Sequence, residues 1–231
     1  MIKKTYEYIT GRFHPDLAPC KHSDGKLIHH EIVSHLNDLY SELKPFGFEL
    51  FVLSGYRNHL DQLRIWNDKV EGRRPLYDIN GKLLDVKTMS DEDIVKSICR
   101  WSAIPGCSRH HWGTDIDIYC KKSLPSRDYV VKLTSEEVNN DGPFGPFHQK
   151  LDEILSTSKT FYRPYSEDKG GVVPERWHLS YYPIANELIK KYTIEAFEKN
   201  IFETDIHLKE VIIHELEYFF ENFVLNVSSS P

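Results

Sequence analysis

Apolar residues recur at helical spacing through residues 26–43, at Ile28, Ile32, Leu36, Leu39 and Leu43, until Lys44-Pro45-Phe46-Gly47 stops them. The pattern predicts an amphipathic core helix. Residues 48–53 form a short apolar run that predicts a buried strand, opening into Ser54-Gly55-Tyr56-Arg57, and a second helical pattern follows through Leu60, Leu63 and Trp66. Arg57 therefore belongs at a strand-to-helix junction. Asn80-Gly81, set between two apolar stretches, predicts a hairpin, and Ser90 with Asp93 predicts a capped helix carrying Ile94, Ile98 and Trp101. After Gly113 the alternation Thr114-Asp115-Ile116-Asp117-Ile118-Tyr119 predicts a half-buried strand. Its Ile116 and Ile118 face the core, and Asp115 and Asp117 share the other side. Phe144, Phe147, Leu151, Ile154 and Leu155 predict a further helix, and Pro183 opens another. Residues 193–226 are helical in pattern and hold no cluster of catalytic residue types. The expectation is an α+β domain over residues 1–192, a small antiparallel sheet flanked by helices, followed by a helical packing appendage over 193–231.

The 231 residues suit one large domain with an appendage. A net charge of −6 and a pI near 6.1 lack the basic excess that steers proteins to nucleic acid, so no such partner is expected. No apolar run approaches the roughly 18 residues of a membrane span, and no membrane partner is expected either. The basic pair Lys3 and Lys4 is followed by Thr5, Glu7, Thr10, Gly11 and Arg12 where a secretory signal needs an apolar stretch. Cys20, Cys99, Cys107 and Cys120 make no CxxC pair, which fits the reduced thiols of a cytoplasmic protein. A chain trimmed of a leader reads the same way, so the periplasm stays open.

Twelve histidines invite a search for metal-ligand spacing. His30-Glu31 and His214-Glu215 fail the HExxH pattern, meeting Ser34 and Tyr218 where the second His belongs. They are read as solvated or helix-packing residues, together with His14, His22, His29, His59, His148 and His207. The stretch Ser108-Arg109-His110-His111-Trp112-Gly113-Thr114-Asp115-Ile116-Asp117 differs, because it gathers imidazoles and carboxylates before and on a strand with a polar face. Pro174-Glu175-Arg176-Trp177-His178 adds another His with a carboxylate three residues before it. A borderline-soft ion such as zinc takes this mixture. Two His and one Asp serve as ligands, and a Glu is left over. A hydrolytic zinc site needs that inventory: three protein ligands, a fourth position open to water, and an unligated carboxylate to accept a proton.

The pattern SxHxxGxxxD at Ser108, His110, Gly113 and Asp117, followed by ExWH at Glu175, Trp177 and His178, resembles the D-alanyl-D-alanine carboxypeptidase family of zinc peptidases, its VanY-like branch. Ser54-Gly55-Tyr56-Arg57 with Gln62 is similar to that family's SGYRxxxxQ segment. The resemblance spans about residues 50–183. It implies a fold like that of hedgehog and the D-Ala-D-Ala peptidases, and one zinc per chain held by His110, Asp117 and His178. It also implies Glu175 as general base and acid, Arg57 as oxyanion stabiliser, and Ser108, Gln62 and Tyr56 as substrate contacts. Asp115 stands where the family's commoner pattern has a small apolar residue. It is expected either to hold a ligand His or to receive a substrate ammonium. The implied substrate is a small peptide, a peptidoglycan stem trimmed next to a D-amino acid. Family alternatives are an L,D-carboxypeptidase, a D,D-dipeptidase, an endopeptidase at the L-Ala to D-Glu bond, or a non-catalytic zinc module. The spared Glu175 favours an enzyme, since a structural zinc has no use for it.

Overall fold

The computed structural model describes residues 2–228. In chain order the elements are helix α1 (Ile2–Ile9), strands β1 (Leu17–Pro19) and β2 (Leu27–His29), helix α2 (Ile32–Leu43), strand β3 (Leu50–Ser54) and helix α3 (His59–Val70). The hairpin β4 (Leu76–Tyr77) and β5 (Leu83–Leu84) precedes helix α4 (Asp91–Trp101) and strand β6 (Asp115–Cys120). Helices α5 (Ser135–Val138) and α6 (Gly145–Leu155) lead to strands β7 (Phe161–Tyr162) and β8 (His178–Tyr181). Helices α7 (Tyr182–Ile189), α8 (Ile194–Glu203), α9 (Lys209–His214) and α10 (Leu216–Phe220) follow, and a π-helical turn, Glu221–Leu225, continues α10.

Strands β3, β6, β8 and β7 form one sheet in that order, each pair antiparallel. Local chemistry explains many of the ends. Asn58 caps α3 by accepting from Asp61 N–H, and Ser90 caps α4 by accepting from Asp93 N–H, with Asp91, Glu92 and Asp93 favourably set in the first turn. Gly47, at φ +84°, closes the turn after α2 in a conformation that costs other residues energy. Two hydrophobic clusters flank the sheet and its neighbours. In one, Leu36 and Leu39 of α2 and Phe147 and Leu151 of α6 pack with Ile116, Ile118 and Leu179 of the sheet. In the other, Trp66 of α3 and Val95 and Ile98 of α4 pack with Phe197, Ile201, Ile212 and Phe219.

Three expectations change. Residues 27–29 are strand rather than helix, because Leu17–Pro19 pairs with them and His29 N–H bonds to the Gly113 carbonyl; α2 starts only at Ile32. Strand β6 is buried on both faces, since it lies between β3 and β8 and its acidic side is roofed by polar side chains. The C-terminal helices share a core with α3 and α4, so the boundary after residue 192 cuts through a continuous apolar cluster. Met1 and residues 229–231, the outer ends of the two expected segments, lie outside the described residues. The four cysteines are free and buried. Among the described residues no helix is long and apolar enough to cross a membrane.

Candidate metal centre and active site

Strand register lines up the chemistry. A shift in β3 after Val52 brings Ser54 opposite Asp117, and β8 sets His178 opposite the other side of Asp117, so the three form a row across the sheet. His110 arrives from a short 3₁₀ turn, Arg109–Trp112, that ends at Gly113 (φ +66°). A Cβ at Gly113 would come within 2.9 Å of His29 N, so this turn needs glycine. His110 Nδ1 donates to the Gly55 carbonyl at 3.0 Å, leaving Nε2 3.3 Å from Asp117 Oδ2. His178 turns Nδ1 toward Asp117 Oδ1 (3.4 Å) and Glu175 Oε2 (3.1 Å). One ligand atom from each of His110, Asp117 and His178 lies within 4.8 Å of the others. Asp117 Oδ1 is buried and makes no hydrogen bond, its nitrogen neighbour being the ion-pair contact to His178 Nδ1.

The other nitrogen of His178, Nε2, lies 3.1 Å from Asp115 Oδ1. Asp115 is fully buried and also accepts from Arg109 Nε (2.7 Å), Thr114 Oγ1 (2.9 Å) and Ser180 Oγ (3.2 Å). Burial would raise its carboxyl; the Arg109 charge and the His178 hydrogen bond outweigh that and hold it well below the usual carboxylate range. Of the two roles expected for Asp115, orienting a ligand His is what the geometry provides. A contact with substrate ammonium is corrected, because no exposed surface remains and every carboxylate position is taken. Burial lowers His178, but hydrogen bonds to Asp115 and Glu175 and the charges of Asp117 and Glu175 raise it to about 10. The centre thus gathers two imidazoles and the carboxylates of Asp117 and Glu175, nitrogen and oxygen donors of the kind a divalent cation takes.

Arg57 sits between β3 and α3 as expected, its Nη1 donating to Gln62 Oε1 (2.8 Å) and its Nη2 to Ser54 Oγ (3.0 Å). Burial lowers its pKa, while the charges of Asp117 and Glu175 pull the other way, which places the guanidinium within electrostatic reach of both. Gln62 is fully buried, with its Oε1 on Arg57 and its amide on the Ala103 carbonyl (2.7 Å), so it braces the guanidinium. Ser108 is buried too, its carbonyl accepting from His111 N–H. Tyr56 keeps partial exposure beside His14, 5.2 Å between ring centroids.

Two residues escaped the sequence reading. Arg109 is buried against Asp115, Tyr162 and Ser180, although it lies inside the quoted motif; an arginine in a histidine-rich turn looks solvated until the fold closes over it. Lys69, in the last turn of α3, is pushed down to about 8 by burial, with Arg57 and Arg74 adding to the effect and Glu175 opposing it. Gln62 seven residues earlier is the available signal, since two helical turns return a side chain to the same face.

Fold and centre together define an α+β scaffold, a small antiparallel sheet flanked by helices, with a His/Asp/His cluster and a carboxylate beside it. The family model for VanY, D-alanyl-D-alanine carboxypeptidase, matches residues 25–184. The chain belongs to this family and is an enzyme of the metallopeptidase class. An uncharacterized protein of Haemophilus influenzae is 32% identical over 105 residues, covering 45% of this chain and 72% of that protein. A mutant of the vancomycin resistance D,D-pentapeptidase VanY, crystallised in complex with Zn(II), shares the fold with a TM-score of 0.52 at 22% identity over 87% of this chain and 91% of its own. VanYB in complex with D-alanine-D-alanine matches equally, TM-score 0.52 and 22% identity, over 88% and 91%.

Proposed function

We propose that the chain is a zinc-dependent carboxypeptidase that hydrolyses a peptide bond next to a D-amino acid in peptidoglycan stem peptides, of the D-Ala-D-Ala carboxypeptidase type. The observation that carries this reading is the convergence of His110, Asp117 and His178, with an Asp117 Oδ1 that no hydrogen bond satisfies and Glu175 alongside. Two imidazoles and one carboxylate are the donor set zinc takes in hydrolytic sites, and the family relatives include a Zn(II) complex. His110 Nε2, an Asp117 oxygen and His178 Nδ1 would hold the ion. Zinc supplies there the polarisation of the scissile carbonyl and the acidification of a water.

The chain's own groups do the rest. Glu175, whose side chain is 13% exposed, takes the proton of the attacking water on its carboxylate and returns it to the leaving amine. Arg57, with its fork fixed by Ser54 and Gln62, faces the charge that develops on the carbonyl oxygen. Asp115 and Gly55 fix the outer nitrogens of the two imidazoles, so the rings present their other nitrogens at constant angle. The peptide's free carboxyl end is expected near Arg57 and Tyr56.

Incubation of the zinc-loaded protein with defined tetra- and pentapeptide muropeptides, read by mass, tests the proposal. Release of one D-alanine from the pentapeptide is the expected result. Loss of the terminal residue from the tetrapeptide alone, release of a dipeptide, or internal cleavage would move the specificity to another member of the family. A zinc-bound protein that cleaves none of them would overturn the peptidase reading.

A further inference from the structure

Segments outside residues 25–184 converge on one imidazole behind the site. His111 follows the ligand candidate His110 and is fully buried. Gly106 N–H donates to His111 Nε2 at 3.1 Å, so that nitrogen is bare and the ring proton sits on Nδ1, which donates to the Arg57 carbonyl at 2.6 Å. Arg57 N–H donates in turn to the His110 carbonyl at 3.1 Å. Both backbone polar groups of Arg57 are therefore tied to consecutive histidines.

The Gly106 end of this chain of bonds is set by the C-terminal helices. Asn200 of α8, fully buried, donates its amide to the Pro105 carbonyl at 2.7 Å and accepts from Arg12 Nη1 at 2.8 Å. Tyr192 donates its hydroxyl to the Gly106 carbonyl at 2.8 Å. Gly106 is left-handed, φ +86°, and a Cβ there would lie 2.2 Å from Asn200 Oδ1. Gly11, φ +73°, lies against the imidazole, where a Cβ would reach His111 Nδ1 at 2.4 Å. The ring is packed against Gly11 and held at both nitrogens.

We infer that His111 is a positioning residue for Arg57, and that Asn200, through the Pro105-Gly106 loop, is the point at which the C-terminal helices govern the reactivity of the site. The inference rests on the reading of Arg57 as oxyanion stabiliser, which Arg57→Ala tests on its own.

The experiment is a set of double-mutant cycles on the zinc-loaded enzyme, reading kcat, KM, bound zinc per chain and thermal midpoint. His111→Gln keeps an acceptor for Gly106 and loses the donor to Arg57; it is expected to lower kcat about 10- to 100-fold, the cost of misplacing a catalytic group by about an ångström, with KM and zinc content little changed. His111→Asn, which returns a donor at the depth of Nδ1, recovers most of that loss. Asn200→Ala, remote from the reacting atoms, lowers kcat about 2- to 30-fold. In an Arg57→Ala background both losses disappear, because there is no guanidinium left to misplace. Losses that multiply undiminished in that background, or that follow a fall in bound zinc or in thermal midpoint, overturn this inference alone. An Arg57→Ala enzyme with unchanged kcat overturns the role of Arg57 and this inference with it.

Discussion

Asp115 and Glu175 show how one side-chain chemistry is divided by environment. Asp115, roofed by Arg109, Thr114 and Ser180, is closed to solvent and points at the outer nitrogen of His178; Glu175 keeps partial exposure. Asp115→Asn preserves the shape and removes the charge that favours the ring's orientation. It is expected to weaken zinc binding about 10- to 100-fold, the usual cost of losing such a support, as measured by competition with a chelator. Glu175→Ala is expected to keep full zinc occupancy and to lower kcat by about 10² to 10⁴, the contribution of a positioned base. Parental turnover by that variant would remove Glu175 from the proton transfer. The two variants thus separate holding the metal from using it.

Among the elements, the C-terminal helices carry more than their sequence pattern implies. Phe197 of α8 is fully buried and stacks on Phe220, 5.6 Å between centroids, within the cluster that also holds Trp66 and Ile98. Phe197→Ala is expected to cost about 3 to 5 kcal/mol by urea denaturation, the usual range for emptying a buried aromatic site. A chain ended after residue 192 leaves Trp66, Val95, Ile98 and Tyr192 without their partners, and loss of a cooperative unfolding transition is the expected outcome. An independently folded 1–192 fragment would show that the C-terminal helices are not needed to close this cluster. Strand β3 carries the converse lesson: the shift after Val52 is small, yet it decides that Ser54, the acceptor for Arg57, stands beside Asp117.

Across the whole molecule, several histidines are folded in without charge. Burial lowers His29 to about 4, with His14 and His30 adding to the effect, and lowers His59 to about 4, helped by the Arg12 charge. Burial also holds His148 well below the ordinary 6.5. In the unfolded chain these groups bind protons below about 6.5, whereas the folded chain resists doing so until about pH 4. The unfolded state therefore holds more protons in that window, and stability falls as the pH drops from about 6.5 toward 4, then levels for these groups. Denaturant midpoints measured across that range should follow this slope, and His59→Gln should flatten it. A midpoint that rises on acidification would contradict the burial of these rings as neutral groups.

Short-range patterns carried much of this architecture. The caps at Asn58 and Ser90, the hairpin around Asn80-Gly81, the strand-to-helix setting of Arg57 and the shared face of Asp115 and Asp117 all depend on residues within about ten positions of one another, where periodicity and turn chemistry act. The motif residues His110, Asp117, Glu175 and His178 were legible as a set because zinc chemistry restricts the residue types. Only the folded chain decided which polar groups are closed off from solvent. Asp115 meets His178 through the pairing of β6 with β8, and Gln62 braces Arg57 while α3 packs its amide on Ala103. Residues 27–29 become strand because β1 and Gly113 offer partners, against a local helical period. A buried carboxylate and a solvated one are spelled alike, and the difference between them is desolvation and partnership across many tens of residues, which strand register and core packing alone supply.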